Sequence, residues 1–183
     1  MGRTQGRTSH DTKELLLEAA TRTIRRHGLA ATLDDIATEA GVSKGGLVYH
    51  FPSKQALLIA LGQSITQAFI DLVDSKKDPS DTRPGKLARA YIRASFEDLD
   101  AGSLRDNLAL AAHLISDPTL QPLANEDGKR WRNDLLQDGL PEATITLIIA
   151  ACDGVSTGPL WGSTLDTPQL RALEQHLLDL TQP

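Results

Sequence analysis

The 183 residues are 40% hydrophobic and 23% charged, a composition that excludes a disordered or low-complexity chain and supplies material for one large core or two small ones. A single cysteine excludes an internal disulfide framework. The longest apolar run, Leu147 to Cys152, is too short to cross a bilayer, so the expectation is a cytoplasmic protein without a membrane partner. Net charge is −5 and unevenly spread: through Lys54, eight Lys and Arg face six Asp and Glu, and beyond it eleven face eighteen. A mildly basic head on an acidic body suits a protein that meets a polyanion at one end only.

Residues 1–10 read as a flexible arm in which Arg3 and Arg7 are either phosphate contacts or part of an inert tail. The first predicted helix spans Asp11 to His27, with Leu16, Ala19, Ala20, Thr23 and Ile24 on one face and Gly28 as its stop. Thr32 then has the side chain of a helix cap, and Asp34 and Asp35 suit the positive end that follows. A second helix is therefore predicted from Leu33, burying Leu33, Ile36, Ala37 and Ala40, with Gly41 as a left-handed terminator. Val42 plugs the elbow and Ser43 caps a third, short helix, KGGLVYHF. Leu47 and Phe51, four apart, point inward, which turns Lys44, Val48 and Tyr49 outward.

Gly45 and Gly46 are unusual in so short a helix. They read either as a loop ahead of Leu47 or as positions whose missing side chains let the backbone approach a phosphate or base edge, with Lys44, Tyr49 and His50 as donors. Pro52 ends this element, Ser53 caps the next, and Lys54 stands at a helix start where an anion would offset its charge.

From Ser53 a long helix carries Leu58, Leu61, Ile65, Ala68 or Phe69, and Leu72. The stretch KKDPSDTRP, residues 76–84, is a polar connection. Further helices are predicted from Gly85 to about Leu99, from Leu104 to Ile115, from Asp117 to about Gln137, from Glu142 to Leu160 and from Pro168 to Leu180. No alternating strand pattern occurs, so the fold class is all-α: a three-helix helix-turn-helix head, 11–54, joined to a helical bundle, 55–183. The histidines at 10, 27, 50, 113 and 176 have no metal-ligand spacing and Cys152 sits in an apolar run. No catalytic residue, metal or cofactor is expected.

Leu15 to Leu61 resembles the N-terminal domain of the tetracycline-repressor-like (TetR) family of transcriptional regulators. The resemblance is carried by Ala19 and Ala20 before Gly28, by Thr32, Asp35 to Ala37, Ala40 to Gly45 and Leu47, and by His50 to Lys54 with Leu57 and Leu58. It implies contact with double-stranded operator DNA through Thr32, Ser43, Lys44, Gly45, Gly46, Tyr49, His50 and Lys54. The chain departs from the usual pattern at Gly46 and Val48, where the family commonly has Thr or Ser and Tyr; Val48 is suited instead to a thymine methyl.

The resemblance also implies a homodimer built on the last two helices, about 142–160 and 168–180, and an unidentified small-molecule effector held in the C-terminal bundle. Tyr91, Ser95, His113 and Trp131 are the candidate lining residues, each on or near an apolar face and able to donate a hydrogen bond; plain core filling is the alternative for each. Two other function classes stay open: an architectural or nucleoid-associated DNA binder without an effector, and a helical interaction protein whose head has lost DNA binding, at which Gly46 and Val48 hint.

Overall fold

A computed structural model of the chain describes residues 8–97, 110, 112–114, 117–162 and 164–182, with the backbone alone for 159–161. Among the described residues every regular element is helical. The chain forms two compact units, Met1–Ser64 with Leu110–Leu123, and Ile65–Ala109 with Ala124–Pro183.

In the first unit, α1 runs Ser9–His27. The Thr8 hydroxyl accepts from the Asp11 N–H at 3.1 Å and the Asp11 carboxylate accepts from the Thr8 N–H at 2.8 Å. This reciprocal box makes Asp11 the third helical residue, not the first, so Thr8 to His10 belong to the helix and its cap and not to the expected arm. Arg3 and Arg7 lie outside the described residues. A 3₁₀ turn, Gly28–Ala30, leads to α2, Leu33–Ala40, then α3, Lys44–His50, and α4, Lys54–Ser75. Leu16, Ala19, Ala20 and Ile24 of α1 pack with Ile36, Ala37, Leu47, Phe51, Leu57, Leu58 and Leu61. Leu110, Leu114 and Leu120 complete this core. Part of the predicted sixth helix, Leu104 to Ile115, therefore returns to the head, and the expected border at Lys54 falls inside the first unit.

By length and composition alone α4 would suffice for a membrane span, a property that the apolar-run count above overlooks. Leu57, Leu58 and Leu61 of this helix are buried in the first core and Val73 in the second.

The second unit is organised around α5, Lys86–Ser95, which buries residues nearly all round its circumference: Ala88, Arg89, Ala90, Tyr91, Ile92, Ala94 and Ser95. Small residues on every side allow this enclosure. Leu99 and the predicted break at Ala101 to Ser103 lie outside the described residues, as does most of Leu104 to Ile115, of which 112–114 are helical. Asp117 caps a 3₁₀ turn, Pro118–Leu120, before α6, Gln121–Leu136, so the single helix expected from Asp117 is split at its first turn. Two more helices follow: α7, Glu142–Trp161, and α8, Thr167–Asp179, the latter opened by a box between Asp166 and Gln169.

Arg89 is 1% exposed and carries the largest fully buried side chain among the described residues. Its Nε donates to Asp81 at 2.8 Å and its Nη1 to the carbonyls of Pro84 and Thr181 at 3.0 and 3.1 Å. Arg83 also donates to Asp81, and the two arginines, Arg83 foremost, hold the Asp81 carboxyl well below the usual carboxylate range. The polar connection after α4 and the end of the chain are thus fastened to one guanidinium. Gly85, at φ +83°, lets α5 start against this cluster, because a Cβ there would stand 2.9 Å from Leu140 and 3.0 Å from Arg89.

Removing one member of a buried ion pair strands the other, so Arg89→Ala lowers the melting temperature by roughly 10 °C. Acid acts on the same clamp: Asp81 titrates lower in the folded chain than at the unfolded value of about 3.9, so its contribution is complete above about pH 5 and is lost as the pH falls towards the folded value. Thermal melting of both proteins tests the first statement and urea midpoints measured from neutral to acid pH test the second, with Asp81→Asn flattening the acid limb.

Candidate nucleic-acid interface and effector core

The α2–α3 elbow is built by local chemistry. At the entry to α2 the Thr32 hydroxyl accepts from the Asp35 N–H at 3.2 Å, and the Asp35 carboxylate accepts from the Thr32 N–H and hydroxyl at 2.9 and 2.6 Å. Those bonds hold the Asp35 carboxyl below its ordinary range. At the exit, Gly41 is left-handed at φ +67°, its N–H bonds to the Thr38 carbonyl at 3.1 Å, and the Val42 N–H reaches back to Ala37 at 3.0 Å. Two residues later the Ser43 hydroxyl accepts from the Gly46 N–H at 3.1 Å, so α3 begins at Lys44 and the glycines are helical rather than a loop.

Leu47 and Phe51 are buried, and α3 presents its opposite side to solvent. Tyr49 is 83% exposed, its ring edge-on to that of His50 at 5.1 Å, and Val48 is exposed beside it. A Cβ added at Gly45 meets nothing within 4 Å, so the protein's own packing does not require glycine there; one at Gly46 would come 3.3 Å from the Ser43 hydroxyl. Thr32, Ser43, Lys44 and Gly45 are exposed, and Gly46 and His50 are half-buried.

Several cations of this unit are held by internal partners, a feature the sequence did not reveal. Arg22 donates to Glu39 at 2.8 Å and Arg26 donates to the same carboxylate, joining α1 to α2 and lowering the Glu39 pKa, Arg22 foremost. Lys44 pairs with Asp34 at 2.7 Å. Lys54 is half-buried and donates to the Leu29 carbonyl, so at the start of α4 it steadies the turn between α1 and α2. It also lines a cleft of about 300 Å³ with Leu29, Gln55, Leu58, Asp117 and Thr119.

The four expected effector residues do not form one group within either unit. Tyr91, Ser95 and Trp131 belong to the second unit, whereas His113 belongs to the first, where its imidazole stands 3.2 Å from the place a Cβ on Gly28 would take. The segment 110–123 packs with the head, and His113 goes with it. Tyr91 and Trp131 are instead joined by Phe69 of α4, with ring centroids 5.2 to 5.6 Å apart. The aromatic content of α4 was the available signal for Phe69. Burial raises the Tyr91 hydroxyl, with the charge of Asp153 adding to the effect. Ser95 donates to the Tyr91 carbonyl at 2.8 Å and bonds the Cys152 thiol, which burial pushes up to about 12. Trp131 is the unusual member: the Arg130 guanidinium, paired with Asp127 at 2.5 Å, lies 4.7 Å from its ring centroid, while the buried indole Nε1 has no hydrogen-bond partner among the described residues.

Comparison with known proteins places this architecture. Residues 16–61 match the model of bacterial regulatory proteins of the tetR family, and residues 85–182 match a tetracyclin repressor-like C-terminal domain. The chain belongs to the TetR family. Among curated TetR relatives it is 40% identical to the HTH-type transcriptional regulator RutR of Escherichia coli (strain K12) over 86 residues, 46% of this chain and 40% of that protein. The matched part thus spans two fifths or less of the first curated relatives. The TetR fold itself is shared over nearly the whole length with a putative transcriptional regulator from Pseudomonas aeruginosa PAO1, at a TM-score of 0.76 and 23% identity, covering 97% of this chain and 93% of that one. A putative transcriptional regulator from Saccharomonospora viridis, solved in complex with choline, aligns at a TM-score of 0.71 and 22% identity, covering 93% and 95%.

Proposed function

We propose that this chain is a ligand-responsive, DNA-binding transcriptional regulator: a cytoplasmic homodimer that represses from a palindromic operator and is released by a small molecule. One observation carries the reading. α3 is anchored by Leu47 and Phe51 and turns Tyr49, Val48 and the bare backbone of Gly45 outward. An exposed aromatic side chain and an open glycine do nothing for the protein's own core, but they suit a major groove, where the backbone approaches phosphate and side chains meet base edges. Thr32, Ser43, Lys44, Gly46 and His50 flank that surface. Lys54 acts from behind it, holding the turn to which α2 is attached.

Pairing two such heads doubles the base contacts at a fixed spacing. Ala143, Leu147, Ala150 and Gly154 form an exposed line of small and apolar residues along α7, with Leu147 50% exposed, and α8 leaves Leu180 exposed. These faces of α7 and α8 form the contact with the second copy.

The effector binds against Phe69, Tyr91 and Trp131. Buried donors are nearly always paired, and a ligand acceptor on the Trp131 Nε1–H supplies the missing partner while its apolar body packs on the rings. Choline in the Saccharomonospora viridis regulator supports a small-molecule role for this fold. A coupling of about 1 to 3 kcal/mol between effector and operator is enough for a switch.

Gly45→Ala tests the interface. It leaves the melting temperature unchanged or slightly raised, since alanine favours helix and meets no neighbour, while affinity for a duplex from the chain's own upstream DNA falls about tenfold, or 1.4 kcal/mol. Equal affinity of both proteins rejects this surface. For the effector, a thermal-shift screen of aromatic and cationic small molecules finds a ligand that releases DNA from the wild type. Trp131→Phe keeps a ring but loses the donor, so it blunts that release and spares operator affinity; an unchanged response removes Trp131 from the site.

A further inference from the structure

We propose that Asp34 is an electrostatic brake on DNA binding, holding the Lys44 ammonium in an internal ion pair that duplex phosphate has to break. The inference rests on the reading of α3 as the DNA-contacting helix. Asp34 is the second residue of α2 and Lys44 the first of α3, and their side chains meet at 2.7 Å although they are 63% and 59% exposed. Core packing does not demand this contact.

The helices explain why it forms. Lysine at the first position of a helix opposes the helix dipole, whereas aspartate at the second position is favoured by it. The Asp34 carboxylate offsets the charge that α3 carries at its own positive end. Elsewhere in the unit, Glu39 takes up Arg22 and Arg26, and the Leu29 carbonyl takes up Lys54. Lys44 is the one Lys or Arg within α3, whose sequence is KGGLVYH. Once it is paired, the helix offers Gly45, Val48 and Tyr49 with its single fixed positive charge compensated.

Affinity for any duplex grows with the number of phosphates neutralised, irrespective of base sequence. Occupying Lys44 internally removes one such contribution from the unbound protein and lets it act only where the neighbouring groups of α3 hold the duplex long enough for the lysine to exchange partners. Random DNA is thereby held weakly, and the uncharged contacts of α3 decide where the protein stays. Asp34 thus serves as a specificity-determining residue that touches no base.

The test compares wild type, Asp34→Asn, Lys44→Ala and the double variant by fluorescence anisotropy over a salt series. The probes are a fluorescein-labelled random-sequence duplex and a duplex from the chain's own upstream DNA. Asp34→Asn binds the random duplex about two- to fivefold more tightly at low salt, the range that an exposed ion pair carries. Its log-affinity against log-salt slope steepens by up to about one, as expected for one more phosphate neutralised. The gain vanishes when Lys44 is alanine. Asp34→Ser, which removes the same charge with a different side chain, reproduces it. Unchanged or weaker binding by both Asp34 variants overturns the brake, as does a gain that survives in the Lys44→Ala background, which would make Asp34 a general repulsive charge. Wild-type protein that binds neither duplex overturns the reading of α3 instead.

Discussion

The turn at Gly41 sets the direction of everything that follows it. A residue at φ +67° stops α2 and frees the Val42 N–H to close on Ala37, so the chain leaves the helix with Val42 against the core and Ser43 in place as the next cap. With a different backbone angle there, α3 would leave the elbow along another path and Leu47 and Phe51 would lose their place in the first core. Because those two side chains are buried, Lys44, Gly45, Val48 and Tyr49 on the other side of α3 face out. The candidate DNA surface is thus a consequence of one left-handed residue and two apolar anchors.

The second unit solves a different problem. Its central helix, α5, is enclosed on nearly all sides, which requires small residues and leaves one long polar side chain, Arg89, to be satisfied internally. Asp81 supplies the charge, the carbonyls of Pro84 and Thr181 accept from Nη1, and the Arg83 carbonyl accepts from Nη2. Around the same helix, Tyr91 packs with Phe69 and Trp131, and Ser95 with Cys152. The Arg89 guanidinium and the Ser95 hydroxyl have hydrogen-bond partners; among the described residues the Trp131 indole Nε1 has none. That contrast is why the aromatic group, rather than the arginine clamp, is the site we propose for an effector.

What the sequence made legible is what short-range chemistry decides. Thr32 with Asp35, Gly41 and Ser43 with Gly46 are caps whose partners lie within four residues, and the helices they delimit were read to within a residue of their observed ends. The cap at Thr8 is equally local, yet the apolar spacing alone starts the first helix at Asp11, which the box with Thr8 makes the third helical residue. Long-range pairings were not legible at all. Nothing in the one-dimensional pattern joins Arg89 to Thr181, Lys54 to Leu29 or Lys44 to Asp34. For the same reason His113 was grouped with Tyr91 and Trp131 by residue type, although its segment belongs with the head. Local code therefore located the candidate interface, while the distribution of its charge and the membership of the proposed effector core depended on contacts that only folding reveals.

The most direct measurement of the central claim, that the outer side of α3 reads duplex DNA, is footprinting of the chain's upstream DNA with wild-type protein and Tyr49→Ala. The account predicts two protected patches about one helical turn, or a whole number of turns, apart. It also predicts that Tyr49→Ala keeps the wild-type melting temperature and loses the pattern. Protection that is the same with tyrosine or alanine at this position, or wild-type protein that protects nothing at low salt, would contradict it.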